Sequence, residues 1–133
     1  MGFLALYAEI QKRFRASWAG TTPVEWPNEI FMVPFPQSPW SRFSIPVCYS
    51  RQINIGQPAV IRLAGIIYIQ IFTKPSRVAE ASALAEKVRI IFNNWHSDVV
   101  RCSYARVKHV GVDRHGWYQV NVAIPFRRDE EFD

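Results

Sequence analysis

The sequence predicts an α+β domain in which two helices pack on a four-stranded, largely antiparallel or mixed sheet. Three observations lead to this prediction. Two segments carry apolar residues at helical spacing, four others read as strands, and their order along the chain is α-β-β-α-β-β. With 133 residues, of which 49% are hydrophobic and 20% charged, the chain fits one globular domain over residues 1–133.

The first helix is expected between Phe3 and Trp18. Phe3, Tyr7, Ile10, Phe14 and Trp18 recur at spacings of four and three, which places them on one helical face. A glycine and a Thr-Thr-Pro string follow and end the helix.

Residues 19–40 are predicted to be irregular, because five prolines remove amide donors and fix φ. This stretch is nevertheless rich in large apolar side chains, so it should pack on its own domain or on a neighbouring subunit. We favour packing on its own domain at the Trp26 end.

A long β-hairpin is expected next. Its first strand alternates from Arg42 to Tyr49, with Pro46 indicating a sheet edge or a bulge. Its second strand runs from Ala59 to Thr73, and fifteen residues would span about 50 Å. The hairpin should therefore project beyond the sheet or bend at Gly65, with its tip at Ser50–Pro58.

The second half of the chain predicts a helix and another hairpin. An apolar stripe indicates a helix from an N-cap at Ser76 to about Trp95. Strands at Val99–Val110 and Tyr118–Phe126 flank a turn at Gly111–Gly116. The acidic run that follows is expected to be a disordered tail, and it comprises Asp129, Glu130, Glu131 and Asp133.

The residues that could support catalysis are scattered. The three histidines lie far apart in the sequence, no nucleotide-binding or hydrolase motif occurs, and Cys48 and Cys102 read as buried free thiols. We therefore expect no catalytic residue, no metal and no cofactor, and a protein that is not an enzyme.

The charge of the chain permits a polyanionic partner. The net charge is +5, and four cations could line one sheet face beside Tyr104, as in a platform for single-stranded nucleic acid. A solvated strand face is the alternative that we favour. The candidate DNA-facing residues are Arg62, Arg101, Arg106 and Lys108. No secretory signal and no apolar run of membrane-spanning length is visible, so no membrane partner is expected.

The hairpin tip is the candidate interface with another subunit or with a tube. Two isoleucines at an outlying turn are costly for a monomer, and a neighbour that covers them would remove that cost. The candidate interface residues are Arg51, Gln52, Ile53, Asn54, Ile55 and Gln57.

Four strings, taken in order, carry a family resemblance. They are Val24-Glu25-Trp26-Pro27-Asn28, Arg51-Gln52-Ile53-Asn54-Ile55-Gly56, Tyr68-Ile69-Gln70-Ile71-Phe72-Thr73-Lys74-Pro75 and Trp117-Tyr118-Gln119-Val120-Asn121-Val122 with Ile124-Pro125-Phe126. Together they resemble the tail terminator (tail completion) family of long-tailed phages and prophages, which includes the minor tail protein U of lambda-like phages. The resemblance extends from about Ala8 to Phe126.

The resemblance implies a homo-oligomeric ring, expected to be a hexamer, on the head-proximal end of the tail tube. The implied partners are the tail tube protein, a head-completion or neck protein, and genomic DNA that passes through the ring without sequence-specific contact. The protein would be a virion component of the tail and neck that is assembled in the host cytoplasm. A head-closure or head-tail connector subunit and a nucleic-acid-binding module remain as alternatives.

Overall fold

A computed structural model describes residues 2–132 and confirms the α+β class, with two helices on one face of a single sheet. The helices are α1 (Phe3–Trp18) and α2 (Val78–Phe92). The strands are β1 (Val24–Glu25), β2 (Trp40–Gln52), β3 (Ala59–Thr73), β4 (Arg101–Cys102), β5 (Arg106–Val112) and β6 (Tyr118–Phe132).

The sheet has the order β1-β2-β3-β6-β4, and β5 also pairs with β6. Only β1 and β2 run parallel; the other described pairs are antiparallel. The sheet has six strands instead of four, partly because the two-residue β1 interrupts the proline-rich stretch. The third predicted strand is also divided into β4 and β5, and between them the Ala105 amide bonds to the Asn93 side chain instead of to β6.

The core lies between the helices and one face of β3 and β6. Alternate residues of these strands point at the helices and are buried, and they include Ile67, Ile69, Ile71, Val120, Val122 and Ile124. The buried stripe of α1 begins at Leu6 instead of Phe3, which is 41% exposed at the helix start. The ring of Trp26 lies 5.8 Å from that of Phe14 and 5.0 Å from that of Phe43, so this end of the loop packs on its own domain, as expected.

The hairpin projects beyond the helices, but it does so as a three-stranded ribbon. The register of β2 shifts between Ser44 and Val47, which confirms the bulge predicted from Pro46. Past this point the residues of β2 are exposed, while the buried residues of β3 begin only at Gly65 and alternate with half-buried ones. Strand β6 pairs with β3 along its whole length, so it accompanies the hairpin to its tip.

The acidic segment after Phe126 was expected to be disordered, and this was wrong. Asp129, Glu130 and Glu131 belong to β6 and pair with β3, whereas Asp133 lies outside the described residues. The ribbon places arginines beside these carboxylates, and the resulting ion pairs offset the charge of the segment.

Two smaller expectations also needed correction. Helix α2 begins at Val78, and the residue before it is Arg77 instead of the expected Ser76 cap. The helix ends at Phe92 instead of about Trp95, because the backbone of Asn93 is extended. Cys102 is a buried free thiol, as predicted, but Cys48 is exposed because it lies on the projecting part of β2.

Candidate functional site

The predicted interface residues come together at the end of the ribbon. All six are exposed, and they occupy the last two positions of β2 and the turn that follows: Arg51, Gln52, Ile53, Asn54, Ile55 and Gln57. Ile55 is fully exposed, whereas Ile53 retains 39% exposure. The tip therefore presents apolar side chains to solvent at a point that the helices do not reach.

The Asn54 side chain closes this turn. Its Oδ1 accepts a hydrogen bond from the Val60 amide at 2.7 Å, and its Nδ2 donates to the Pro58 carbonyl at 3.1 Å. An asparagine commonly bonds to nearby backbone in this way. Asn54 thus fixes the shape of the loop from which Ile55 protrudes, and its polar atoms are occupied within the chain.

A second exposed apolar segment lies between β1 and β2, in the proline-rich stretch. Ile30, Met32 and Phe35 point into solvent, while Phe31 anchors the segment by stacking on Trp40 with ring centroids 5.1 Å apart. The sequence indicated that these apolar residues need a cover, but it could not indicate which of them their own domain leaves exposed.

The four predicted DNA-facing cations lie on one face of the sheet, opposite the helices. They are Arg62, Arg101, Arg106 and Lys108. Because the odd-numbered isoleucines of β3 point into the core, its even-numbered residues point to the opposite, open face. The register aligns Arg106 with Tyr68 of that face, through Ala123, and aligns Lys108 with Gln70, through Asn121. Tyr104 is exposed but lies outside the strands, between β4 and β5.

The open face contains a basic groove of about 370 Å³ on the ribbon. Its lining includes four guanidinium groups, which belong to Arg51, Arg62, Arg106 and Arg127. Arg62 is paired with Asp129, whose pKa is lowered by the hydrogen bonds from this guanidinium, while the pKa of Arg62 is raised by the same contact. The remaining arginines can offer donors to a phosphate backbone.

An aromatic pocket, which the sequence did not predict, lies at the other end of β2 and β3. Its volume is about 650 Å³, and Trp40, Phe72 and Trp117 form its apolar lining. The indole ring of Trp40 and the phenyl ring of Phe72 stack with centroids 4.2 Å apart, and Trp117 meets Trp40 edge-on at 6.0 Å. Among the buried side-chain polar atoms of residues 2–132, Nε1 of Trp40 has no hydrogen-bond partner.

Hydrogen bonds of two side chains, Asp113 and Gln37, keep this pocket in shape. The Asp113 carboxylate accepts hydrogen bonds from the amides of His115 and Trp117, at 2.8 and 3.0 Å, and so fixes the turn between β5 and β6. The Gln37 side chain donates to the Gly116 carbonyl at 2.9 Å and joins the proline-rich stretch to the same turn. Separate parts of the chain therefore build the walls, which explains why no local sequence signal predicts the pocket.

No described helix is long and apolar enough to cross a bilayer. Within residues 2–132, histidine, cysteine and acidic side chains form no group of three that could hold a metal ion.

Comparison with known proteins places this arrangement in a family. No curated protein matches the chain. A family model described as phage tail terminator protein matches residues 5–126, which include all but the first two residues of α1, the whole of α2, the ribbon up to Phe126 and the aromatic pocket. Because the match covers nearly the whole chain, the protein belongs to the phage tail terminator family and has a structural role in the phage tail.

Proposed function

We propose that this protein forms a homo-oligomeric ring, expected to be a hexamer, that caps the head-proximal end of the tail tube. The ring stops polymerisation of the tube protein and offers the joining surface to the head-completion or neck protein. It is assembled in the host cytoplasm and remains in the virion. The observation that carries the proposal is the exposed apolar tip of the ribbon, together with the family membership.

The tip supports assembly because it places apolar surface where the chain itself cannot cover it. Single exposed apolar residues are ordinary, but the tip and the segment at Ile30–Phe35 give two separate apolar surfaces. Contact with sister copies, or with the tube protein, would remove both from water.

The strand edges also support lateral contact. In the described residues, the outer edge of β2 is paired only at Ser41 and Arg42, by β1. Unpaired strand edges offer amide and carbonyl groups to another chain. A ring can use these edges as well as the tip.

The basic open face supports contact with passing DNA. Attraction of this kind acts on phosphates and does not depend on base sequence. Arg101, Arg106 and Lys108 are exposed there, so they are the cations that we assign to a DNA-facing surface.

Tails assembled without this protein test the capping role. If the protein caps the tube, electron microscopy should show overlong tubes in its absence and normal lengths when it is supplied. Tails of normal length without it would reject the role.

The alternative of a head-closure subunit makes a different prediction. A terminator should bind preassembled tail tubes, whereas a head-closure subunit should bind filled capsids. A nucleic-acid-binding module would instead show tight, salt-sensitive binding of the isolated monomer to DNA.

Substitutions at the tip test its place in the interface. We expect Ile53→Asp and Ile55→Asp to weaken assembly in size-exclusion chromatography while circular dichroism stays that of the native protein. Leu4→Asp is the matched control, because Leu4 is 80% exposed on α1 and does not belong to the tip. Unchanged assembly of both tip variants would show that the tip is not an interface.

A further inference from the structure

We propose that the aromatic pocket is the receptor for the ribbon tip of a second copy of this chain, so that copies join head to tail. This inference rests on the proposed ring and names the two surfaces that build it. The occupant is the turn around Ile53 and Ile55, and the receptor is the pocket lined by Trp40, Phe72 and Trp117.

The pocket has the chemistry of a protein-binding site. Its volume of about 650 Å³ accommodates one or two large aliphatic side chains together with a short stretch of backbone. The aromatic lining offers them dispersion contacts and removal from water. The unpartnered Nε1–H of Trp40 adds a polar requirement, because a buried donor without an acceptor is costly. An apolar side chain meets the first demand, and a backbone carbonyl that enters with it meets the second if the wall of the pocket moves to uncover Nε1, which is buried in the single chain.

The tip matches these demands. Residues 53–58 carry no charged side chain, so the tip brings no ion of its own that must lose water on docking. The lining of the pocket does include charged groups, among them Arg42 and Asp113, which are already bonded within the chain. Ile55 is fully exposed, and Asn54 holds the turn closed through its own hydrogen bonds. A turn that is already ordered loses little conformational entropy when it docks.

The positions of the two surfaces require a second copy. Trp40 pairs with Phe72 at one end of the β2–β3 ladder, and Gln52 pairs with Ile61 near the other. Gln52 lies twelve positions along β2 from Trp40, which corresponds to about 40 Å, so the tip cannot reach the pocket of its own chain. Contact between two different surfaces is heterologous, and it produces a closed ring when the rotation between copies closes.

Two variants that each damage one surface test this arrangement. Ile55→Asp places a carboxylate on the tip and leaves the pocket intact. Val33→Asp does the reverse, because Val33 lines the pocket and is 47% exposed, so that substitution leaves the packed aromatic rings in place. Leu4→Asp controls for an added charge at an exposed apolar position.

The measurement is multi-angle light scattering of the full chain, alone and in mixtures, with circular dichroism as the check of folding. Wild type and Leu4→Asp should form rings, and each of the other variants alone should be monomeric. An equimolar mixture of Ile55→Asp and Val33→Asp should give heterodimers, because one intact tip and one intact pocket remain to meet. If Val33→Asp does not fold, Val33→Arg takes its place.

The outcomes separate this inference from the proposed ring. If wild type and both damaged variants all form rings, or if the mixture stays monomeric, the tip does not dock in the pocket, although the ring itself stands. If wild type remains monomeric at every concentration, the ring fails and the inference fails with it. If the mixture gives heterodimers while each variant alone is monomeric, the tip and the pocket are partners.

Discussion

Arg62 and Asp129 lie directly opposite each other on β3 and β6, and the guanidinium donates to both carboxylate oxygens. Nε lies 2.8 Å from Oδ1 and a terminal nitrogen lies 3.1 Å from Oδ2. The pair therefore joins the end of β6 to the ribbon that carries the tip. Two-point contacts of this kind hold a fixed geometry better than single ion pairs.

The lowered pKa of Asp129 predicts that acid loosens the end of the ribbon. A carboxyl group whose pKa is lowered by folding stabilises the fold above its unfolded pKa, and this contribution is lost as the pH falls through the folded value. Protection of the amides at residues 128–131 from hydrogen exchange should hold near neutral pH and fall, after correction for the intrinsic rate, below about pH 4. Asp129→Asn should show reduced protection already at pH 7, with protection of the core strands unchanged. Equal protection in both proteins across this range would contradict the assigned role.

A side chain added at Gly65 should destabilise the same ribbon. A Cβ at this position would overlap the Val47 carbonyl oxygen and approach the Phe126 ring to 2.8 Å, so β2 or β6 would have to move. Gly65→Ala should lower the free energy of unfolding by about 1–3 kcal/mol, the usual cost of overpacking. Urea denaturation measures this difference.

The matched control for Gly65→Ala is Gly56→Ala in the tip, where the nearest atom to a new Cβ is Asn54 Nδ2 at 3.8 Å. We expect this variant to change stability by less than about 0.5 kcal/mol, as surface substitutions commonly do. Equal effects of the two substitutions would show that close strand packing at Gly65 is not the cause.

The sequence predicted the fold class, α1 and β3 because their patterns are local and long. The apolar run of β3 and the helical spacing of α1 each extend over fifteen or sixteen residues. The end of β6 escaped prediction for the opposite reason. A stretch of charges reads as a solvated tail, and only the pairing of Asp129 with Arg62 across the sheet makes it a strand.

The candidate site shows the same division. Alternation along the strands was enough to group Arg106 and Lys108 on one face, and the register places them there. The aromatic pocket needs Trp40, Phe72 and Trp117 from three different strand ends or turns, so its existence depends on topology that one sequence does not reveal.

The different burial of Cys48 and Cys102 predicts that their thiols differ in reactivity toward a thiol reagent. Burial raises the pKa of Cys102 to about 12, while Cys48 is exposed on β2 and its pKa is raised to a smaller extent by partial burial. Because the thiolate is the reactive form, Ellman's reagent at pH 8 should label one thiol per native chain and two in denaturant. Cys48→Ser should leave none reactive in the native protein. Rapid labelling of native Cys48→Ser would show that Cys102 is accessible.

The basic open face predicts a salt-dependent contact with DNA that does not depend on sequence. Each phosphate that the protein neutralises adds about 0.9 to the slope of log K against log salt. Arg106 and Lys108 are exposed on this face, so the Arg106→Gln, Lys108→Gln double variant should reduce that slope by about two. Fluorescence anisotropy with duplexes of unrelated sequence, titrated from low to physiological salt, gives the slope.

Lys12→Gln is the control for this measurement, because Lys12 is exposed on α1, on the opposite side of the sheet from the open face. It removes a positive charge from the same protein without touching the proposed DNA surface, so its slope should equal that of wild type. If instead the loss of Lys12 reduces the slope as much as the loss of Arg106 or Lys108 does, DNA binding depends on the net charge of +5 and not on a defined face. An unchanged slope in the double variant would remove Arg106 and Lys108 from the DNA-facing surface, because cations that contact phosphates cannot be lost without changing the number of ions released.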